Sequence, residues 1–167
     1  MAHSAHTQQT GAQTKRPNAV RLAAYVVGAV FLLVAVLGFI PGVTSNYDSM
    51  EWAGHESGAK LFGLFQVSIL HNLVHGLFGV LGLALARTTP GARGFLLGGG
   101  LIYLLLWLYG LFVDHDSGAN FVPLNHADNW LHLGLGLGMM ALSALPQGRA
   151  GAPGRHSTEA HPRDTRD

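Results

Sequence analysis

His71 and His75 stand four residues apart in an otherwise apolar stretch, with Ser68 and Asn72 beside them. On a helix, His75 falls about 40° from His71 and Ser68 about 60°, so the three share one face. Asn72 lies on the flank of that face, and Gln66 falls on the opposite side. Two imidazoles at this spacing suit one metal ion, and zinc takes three or four such ligands. His132, in a later apolar stretch, completes a candidate set of His71, His75 and His132. A second candidate set lies outside the apolar stretches: His55, Glu56, Asp114, His115, Asp116, His126 and Asp128.

Haem is a narrower option. Axial ligands approach iron from opposite sides. His71 and His75 share a face and cannot both serve one iron, whereas His71 and His132 can. The same side chains, with Tyr103 or Tyr109, could line a proton or small-solute path. They could also be hydrogen-bond glue between helices, because a polar group in hydrocarbon must find a partner. Glue is the leading reading, with metal, haem and relay as alternatives, and no cofactor is assigned. The chain has no Cys, which excludes thiol catalysis and Cys-ligated metal. It has no phosphate-binding loop, nucleophile elbow or His-Glu-x-x-His motif, so the reading leans away from an enzyme.

The elements that must position these residues follow from composition. Of 167 residues, 49% are apolar and 11% charged. Soluble domains carry about 25% charged residues. With a net charge of +1 there is no bias toward a nucleic-acid partner. Four apolar runs occupy Leu22–Ile40, Leu61–Ala86, Gly94–Val113 and Trp130–Leu145, the last extended to Ala127. Each approaches the ~20 residues that cross a ~30 Å hydrocarbon layer. The first exceeds the usual 7–15 apolar residues of a signal sequence, so it is expected to stay as a membrane helix. The spacing predicts an all-α polytopic membrane protein, a bundle of four transmembrane helices over about 21–40, 61–86, 94–113 and 127–145. Polar residues 1–20 and 147–167 are expected to be disordered tails.

The charges set an orientation. Lys15, Arg16 and Arg21 precede the first run, and Arg87 and Arg93 follow the second. Arg149, Arg155, Arg163 and Arg166 follow the fourth. The loop 41–60 has Lys60 against Asp48, Glu51 and Glu56, and 114–129 has no Lys or Arg. The positive-inside rule then places both termini in the cytoplasm. Tyr47, Trp52, Trp107, Tyr109 and Trp130 fall near the outer ends, as an aromatic belt would. His132 sits at shallow depth, so it should meet His71 more easily than His75. Small residues pair at helix-packing spacing: Ala24 with Gly28, Gly82 with Ala86, Gly94 with Gly98, and Gly134 with Gly138. They suit packing within one bundle, or a homo-oligomer. The lipid bilayer is the one partner the composition names.

The stretch Gly54-His55-Glu56-Ser57-Gly58-Ala59-Lys60-Leu61-Phe62-Gly63-Leu64-Phe65, running into Ser68-Ile69-Leu70-His71-Asn72-Leu73-Val74-His75, resembles the bacterial membrane family DUF4383. The likeness continues through Gly79, Gly82 and Asp128-Asn129-Trp130-Leu131-His132-Leu133, and covers roughly residues 20–145. It implies four membrane helices and a bacterial cell membrane, and carries no activity, cofactor or site.

Overall fold

The first uncharged run winds into α1 (Ala19–Leu37), which ends at Gly38 ahead of Pro41. The computed structural model describes residues 18–146. The expected tails therefore lie outside the described residues, apart from Asn18, Ala19 and Val20, which open α1. Three further helices follow: α2 (Ile69–Leu85), α3 (Thr89–Phe112) and α4 (His126–Ser143). Between α1 and α2 stands an antiparallel sheet of β1 (Thr44–Ser45), β2 (Lys60–Leu61) and β3 (Phe65–Gln66), in that order.

The second helix thus starts at Ile69, not at Leu61. Phe62 and Gly63 take φ of 53° and 70°, a left-handed turn that reverses β2 into β3. The apolar residues before α2 fill a separate small core instead. Ala59, Leu61 and Val67 are buried against Val34, Leu37, Val43 and Met50, while Phe62 and Leu64 point outward. Gln66 is consequently not on a helix at all. Its backbone N–H donates to Asp128 Oδ2 (3.0 Å), and its side-chain amide donates to the His55 and Ser57 carbonyls.

The N-terminus of α2 is fully supplied with acceptors. Ile69 and Leu70 donate to the Glu51 and Trp52 carbonyls, and His71 N–H donates to the Ser68 hydroxyl. Thr88 caps α3 through Gly91 N–H, with Pro90 in the first turn, so α3 begins ahead of the expected residue 94. Asn125 and Asp128 form a capping box on α4.

The helices pair through small residues. A Cβ at Gly28 would come within 3.0 Å of Gly79 O, and one at Gly100 within 2.9 Å of Gly136 O. The hairpins α1–α2 and α3–α4 therefore meet backbone on backbone. Between them lies a core that includes Phe31, Phe95, Leu96, Tyr103 and Met139. Gly94, Gly98, Gly134 and Gly138 have nothing near them and sit on the exterior.

The described arginines gather at one end, while Lys60 stands in β2 at the other. Arg21 Nε donates to Ala86 O (3.0 Å) at the C-terminus of α2, and Arg93 Nη2 to Leu145 O (3.1 Å) beyond α4. Asn18 Nδ2 donates to Thr89 Oγ1 (2.7 Å), joining the starts of α1 and α3. The described acids all lie in the opposite end, in the sheet-bearing segment, the α3–α4 connection and the first turn of α4. The exterior is apolar on every helix: Leu33 on α1, Leu77 on α2, Leu105 on α3 and Leu137 on α4 are all more than half exposed. Two helices, Ala19–Leu37 and Thr89–Phe112, are long and apolar enough to cross a membrane.

The helix contacts predict a contrast between glycines. Gly28→Val and Gly100→Val should each lower unfolding stability in detergent by about 1–3 kcal/mol, the usual cost of overpacking. Gly98→Val should leave it within about 0.5 kcal/mol. Thermal unfolding of the three variants checks this; an equal loss at all three would refute the assigned contacts.

Candidate functional site

Ser68, His71, Asn72 and His75 come to one region because α2 is helical from Ile69 and Ser68 caps it. Their arrangement differs from interhelical hydrogen-bond glue. His71 Nε2 and His75 Nε2 lie 3.2 Å apart, with ring centroids at 4.4 Å and edge-on. The hydrogen bond is thus made within one helix, and one of the two Nε2 atoms carries its proton. His75 packs on Phe31 (5.5 Å) and His132 on Tyr103 (5.1 Å), and Phe31 stacks on Tyr103 (5.6 Å). Phe31 and Tyr103 thus link His75 and His132 in one run of ring contacts. His71 and His132 both line one crevice between α2 and α3.

Among the described residues, no three His, Asp or Glu side chains converge as metal ligands. The outer-face set divides into separate local roles. His115 faces His126 with ring centroids 5.1 Å apart, and its Nε2 meets Gly110 O at 3.0 Å. Asp114 accepts from Asp116 N–H in a turn, and Asp128 accepts from both Asn125 N–H and Gln66 N–H. The His55 carbonyl accepts from Gln66, and Glu56 is exposed. The Asp114 and Asp128 carboxylates thus serve nearby backbone, while His55 and Asp116 enter these bonds through main-chain atoms.

The positions that composition left unexplained obey a repeat. Arg21, Gly28, Phe31 and Gly38 on the first hairpin recur at identical spacing as Arg93, Gly100, Tyr103 and Gly110 on the second. Ser68, Asn72, His75 and Gly79 recur as Asn125, Asn129, His132 and Gly136. The contacts recur with the residues. Ser68 and Asn125 are both helix caps. Gly28 meets Gly79 as Gly100 meets Gly136. A Cβ at Gly38 would collide with Asn72 Oδ1, and one at Gly110 with Asn129 Oδ1. Both oxygens are buried without a conventional partner, and each faces a glycine Cα. Phe31 touching its own equivalent, Tyr103, marks the axis that relates the halves, and both halves start at the basic end.

His71 has no histidine mate: its equivalent is Asp128. Tyr103 is among the residues named for a relay path, but Phe31 and the contacts of both rings with the histidines escape a reading of one helix at a time. Aligning the two halves of the sequence was the signal that would have found them.

Fold and site together define a helical protein with an apolar exterior, built from two like hairpins that enclose a histidine and asparagine layer. The chain matches the family described as Domain of unknown function (DUF4383) over residues 21–145, and it belongs to that family. No curated protein and no solved structure matches it.

The asparagine–glycine contacts can be tested as a double-mutant cycle. Gly38→Ala alone should destabilise by about 1–3 kcal/mol through overpacking. Combined with Asn72→Ala, which removes the colliding amide, it should cost clearly less than the sum. The Gly110 and Asn129 pair should behave the same way, and strict additivity in both cycles would contradict the packing described.

Proposed function

We propose that the chain is a non-enzymatic, multi-pass protein of the bacterial cell membrane, with four crossings, both termini in the cytoplasm and the two polar segments 1–20 and 147–167 as tails. The buried His and Asn residues act as its structural glue, by packing in the bundle interior rather than by hydrogen bonds between helices. The recurrence of Asn72, His75 and Gly79 as Asn129, His132 and Gly136, each with the same contacts, carries this reading. A side chain that serves both halves equally serves what the halves share, which is their architecture.

Several features support the membrane part. In water, the exposed leucines and valines on all four helices would be an aggregating surface. In hydrocarbon they are the ordinary exterior. α2 and α4, of 17 and 18 residues, are about 25 and 27 Å long, close to the ~30 Å layer. The arginine-capped end corresponds to the cytoplasmic side, and the acidic end with its sheet to the outer side.

One distance favours a second reading. A tetrahedral zinc ion holds two imidazole nitrogens about 3.3 Å apart, and His71 Nε2 and His75 Nε2 are separated by 3.2 Å. These two residues would be the metal ligands, with His132 across the crevice as the third candidate.

Reporter fusions at each terminus and within 41–60 test the topology; cytoplasmic termini and an exported loop are expected, and an exported C-terminus would overturn four crossings. Metal analysis and a visible spectrum of the purified protein test the site. The packing reading expects no stoichiometric metal, no Soret band and an unfolding midpoint unmoved by EDTA. It also expects His75→Ala and His132→Ala to destabilise by similar amounts, about 2–4 kcal/mol each. Stoichiometric metal that disappears in a His71→Ala and His75→Ala double variant would replace the packing reading with the metal one.

A further inference from the structure

Two cavities are joined along one row of α1. The crevice between α2 and α3 has a mate under the internal repeat, a lateral crevice of about 200 Å³ between α1 and α4. Val26, Val30 and Val34 line it on the α1 side and Leu131 and Leu135 on the α4 side, and its wall is apolar. At the arginine end of α1 a separate pocket of about 260 Å³ is lined by Asn18, Arg21, Leu22 and Tyr25. Leu22, Val26, Val30 and Val34 are spaced by four, one ridge of the helix, so the ridge runs from the pocket into the crevice. Leu22, Val26 and Val30 are each about half exposed on the apolar exterior. From Leu22 to Val30 is about 12 Å, within half of a ~30 Å hydrocarbon layer.

The pocket, unlike the crevice, carries accessible polar groups. Arg21 spends its Nε on Ala86 O, which leaves both Nη nitrogens without a hydrogen bond among the described residues, and neither is enclosed by protein. The Tyr25 hydroxyl is likewise unbonded among the described residues and not enclosed. Asn18 offers nothing further, since its Nδ2 is donated to Thr89 and its Oδ1 is buried. The free groups are therefore a guanidinium fork and a hydroxyl, a set that fits the several acceptor oxygens of a phosphate. No Asp or Glu lines the pocket, and the described acids stand at the opposite end, so an ammonium-bearing head would find no partner. The second half lacks the pair. Asn18, Leu22 and Tyr25 correspond to Pro90, Gly94 and Leu97, and Arg93 spends Nη2 on Leu145 O while its Nε is buried. The repeat keeps the arginine that closes each hairpin, but the hydroxyl beside it occurs once.

We propose that the Arg21–Tyr25 pocket binds the phosphodiester head of an anionic phospholipid, phosphatidylglycerol, from the cytoplasmic leaflet. Arg21 and Tyr25 donate to the phosphate oxygens, and one acyl chain lies along Leu22, Val26 and Val30 into the α1–α4 crevice. The crevice takes the chain alone, and selection of the head rests with the pocket. This inference rests on the membrane reading above, which puts the arginine end at the cytoplasmic surface. Arg93, the equivalent arginine without a hydroxyl beside it, is the internal control.

Dioleoylphosphatidylglycerol, dioleoylphosphatidylcholine and the deacylated head glycerophosphoglycerol are titrated into the delipidated full-length chain in detergent, with bound molecules counted by native mass spectrometry. One phosphatidylglycerol per chain is expected, held at least tenfold more tightly than either phosphatidylcholine or the deacylated head. Arg21→Gln should weaken it at least tenfold and Tyr25→Phe at least threefold, with circular-dichroism spectra like the parent's. Arg93→Gln should leave it within twofold. Equal binding of the two lipids, or equal losses in Arg21→Gln and Arg93→Gln, would overturn the site and leave only diffuse attraction to the basic end. Equal affinity for glycerophosphoglycerol would overturn the lipid and make the pocket a site for a soluble phosphodiester. Should Arg21→Gln fail to fold, Tyr25→Phe decides, since parent-like binding there would refute the pocket. Termini found in the cytoplasm by the separate reporter fusions, with no preference for phosphatidylglycerol, would refute this site alone and leave the membrane reading standing.

Discussion

Two backbone contacts set the distances on which the rest depends: Gly28 against Gly79, and Gly100 against Gly136. Where such an apolar exterior lies in hydrocarbon, as proposed, burial of apolar surface gives little reason for one helix to prefer another helix over its surroundings. Close approach supplies the reason through dispersion and backbone contact. Once α1 and α2 are this near, Asn72 must lie over Gly38, since only a residue without Cβ leaves room for the amide. His75 must then meet Phe31, and in the other hairpin His132 must meet Tyr103. The histidine layer follows from the glycine contacts, one turn at a time.

The internal repeat explains why so much polarity can be buried at so little cost in design. One hairpin solves the problem of placing an Asn and a His inside, and the second reuses the solution. Each half closes its basic end by the same device, an arginine from the first helix donating to a carbonyl at the end of the second. The halves join where equivalent rings stack, Phe31 on Tyr103. Repeats that run in the same direction are related by an axis along the helices, and sites then form at the interface between them. Both crevices lie at that interface.

Much of this was legible in the sequence, and the failures have physical causes. The runs ending at Pro41 and Pro146 located α1 and α4 well, because loss of the backbone donor at proline is a local property. The meeting of His71 and His75 was readable because helical geometry alone puts i and i+4 together, whereas Ser68 stands ahead of the helix as its cap. The start of α2 was not readable. Residues 61–67 are as apolar as a helix, and their sheet of two-residue strands is held by tertiary contacts with Val34 and Leu37. Gly63 was the one local sign of the turn. The aromatic partners of His75 and His132 belong to other helices, so no single-helix pattern reveals them. Comparison of the two halves does, since Arg, Gly, aromatic and Gly keep their spacing through both. The outer-face histidines and acids looked like one cluster because a sequence cannot tell a ligand from a cap; Asp128 is a cap, holding Asn125 N–H and Gln66 N–H at once.

Departures from the repeat are as informative as the repeat. Position 71 is histidine where its mate, 128, is aspartate, and the neighbouring chain explains the difference. Asp128 faces β3 and ties the sheet to α4 through Gln66. On the other side, the α3–α4 connection presents no strand among the described residues; it is organised by Asn120, whose side chain bonds Leu124 and the His115 carbonyl. The backbone donors there take acceptors from within the connection, Asp116 N–H from Asp114 and Leu124 N–H from Asn120, and position 71 has no such duty. It carries a histidine that turns to His75 and borders a crevice instead. In a molecule whose two halves otherwise repeat their contacts, the side chain freed from a shared role is the one available for a chemistry of its own.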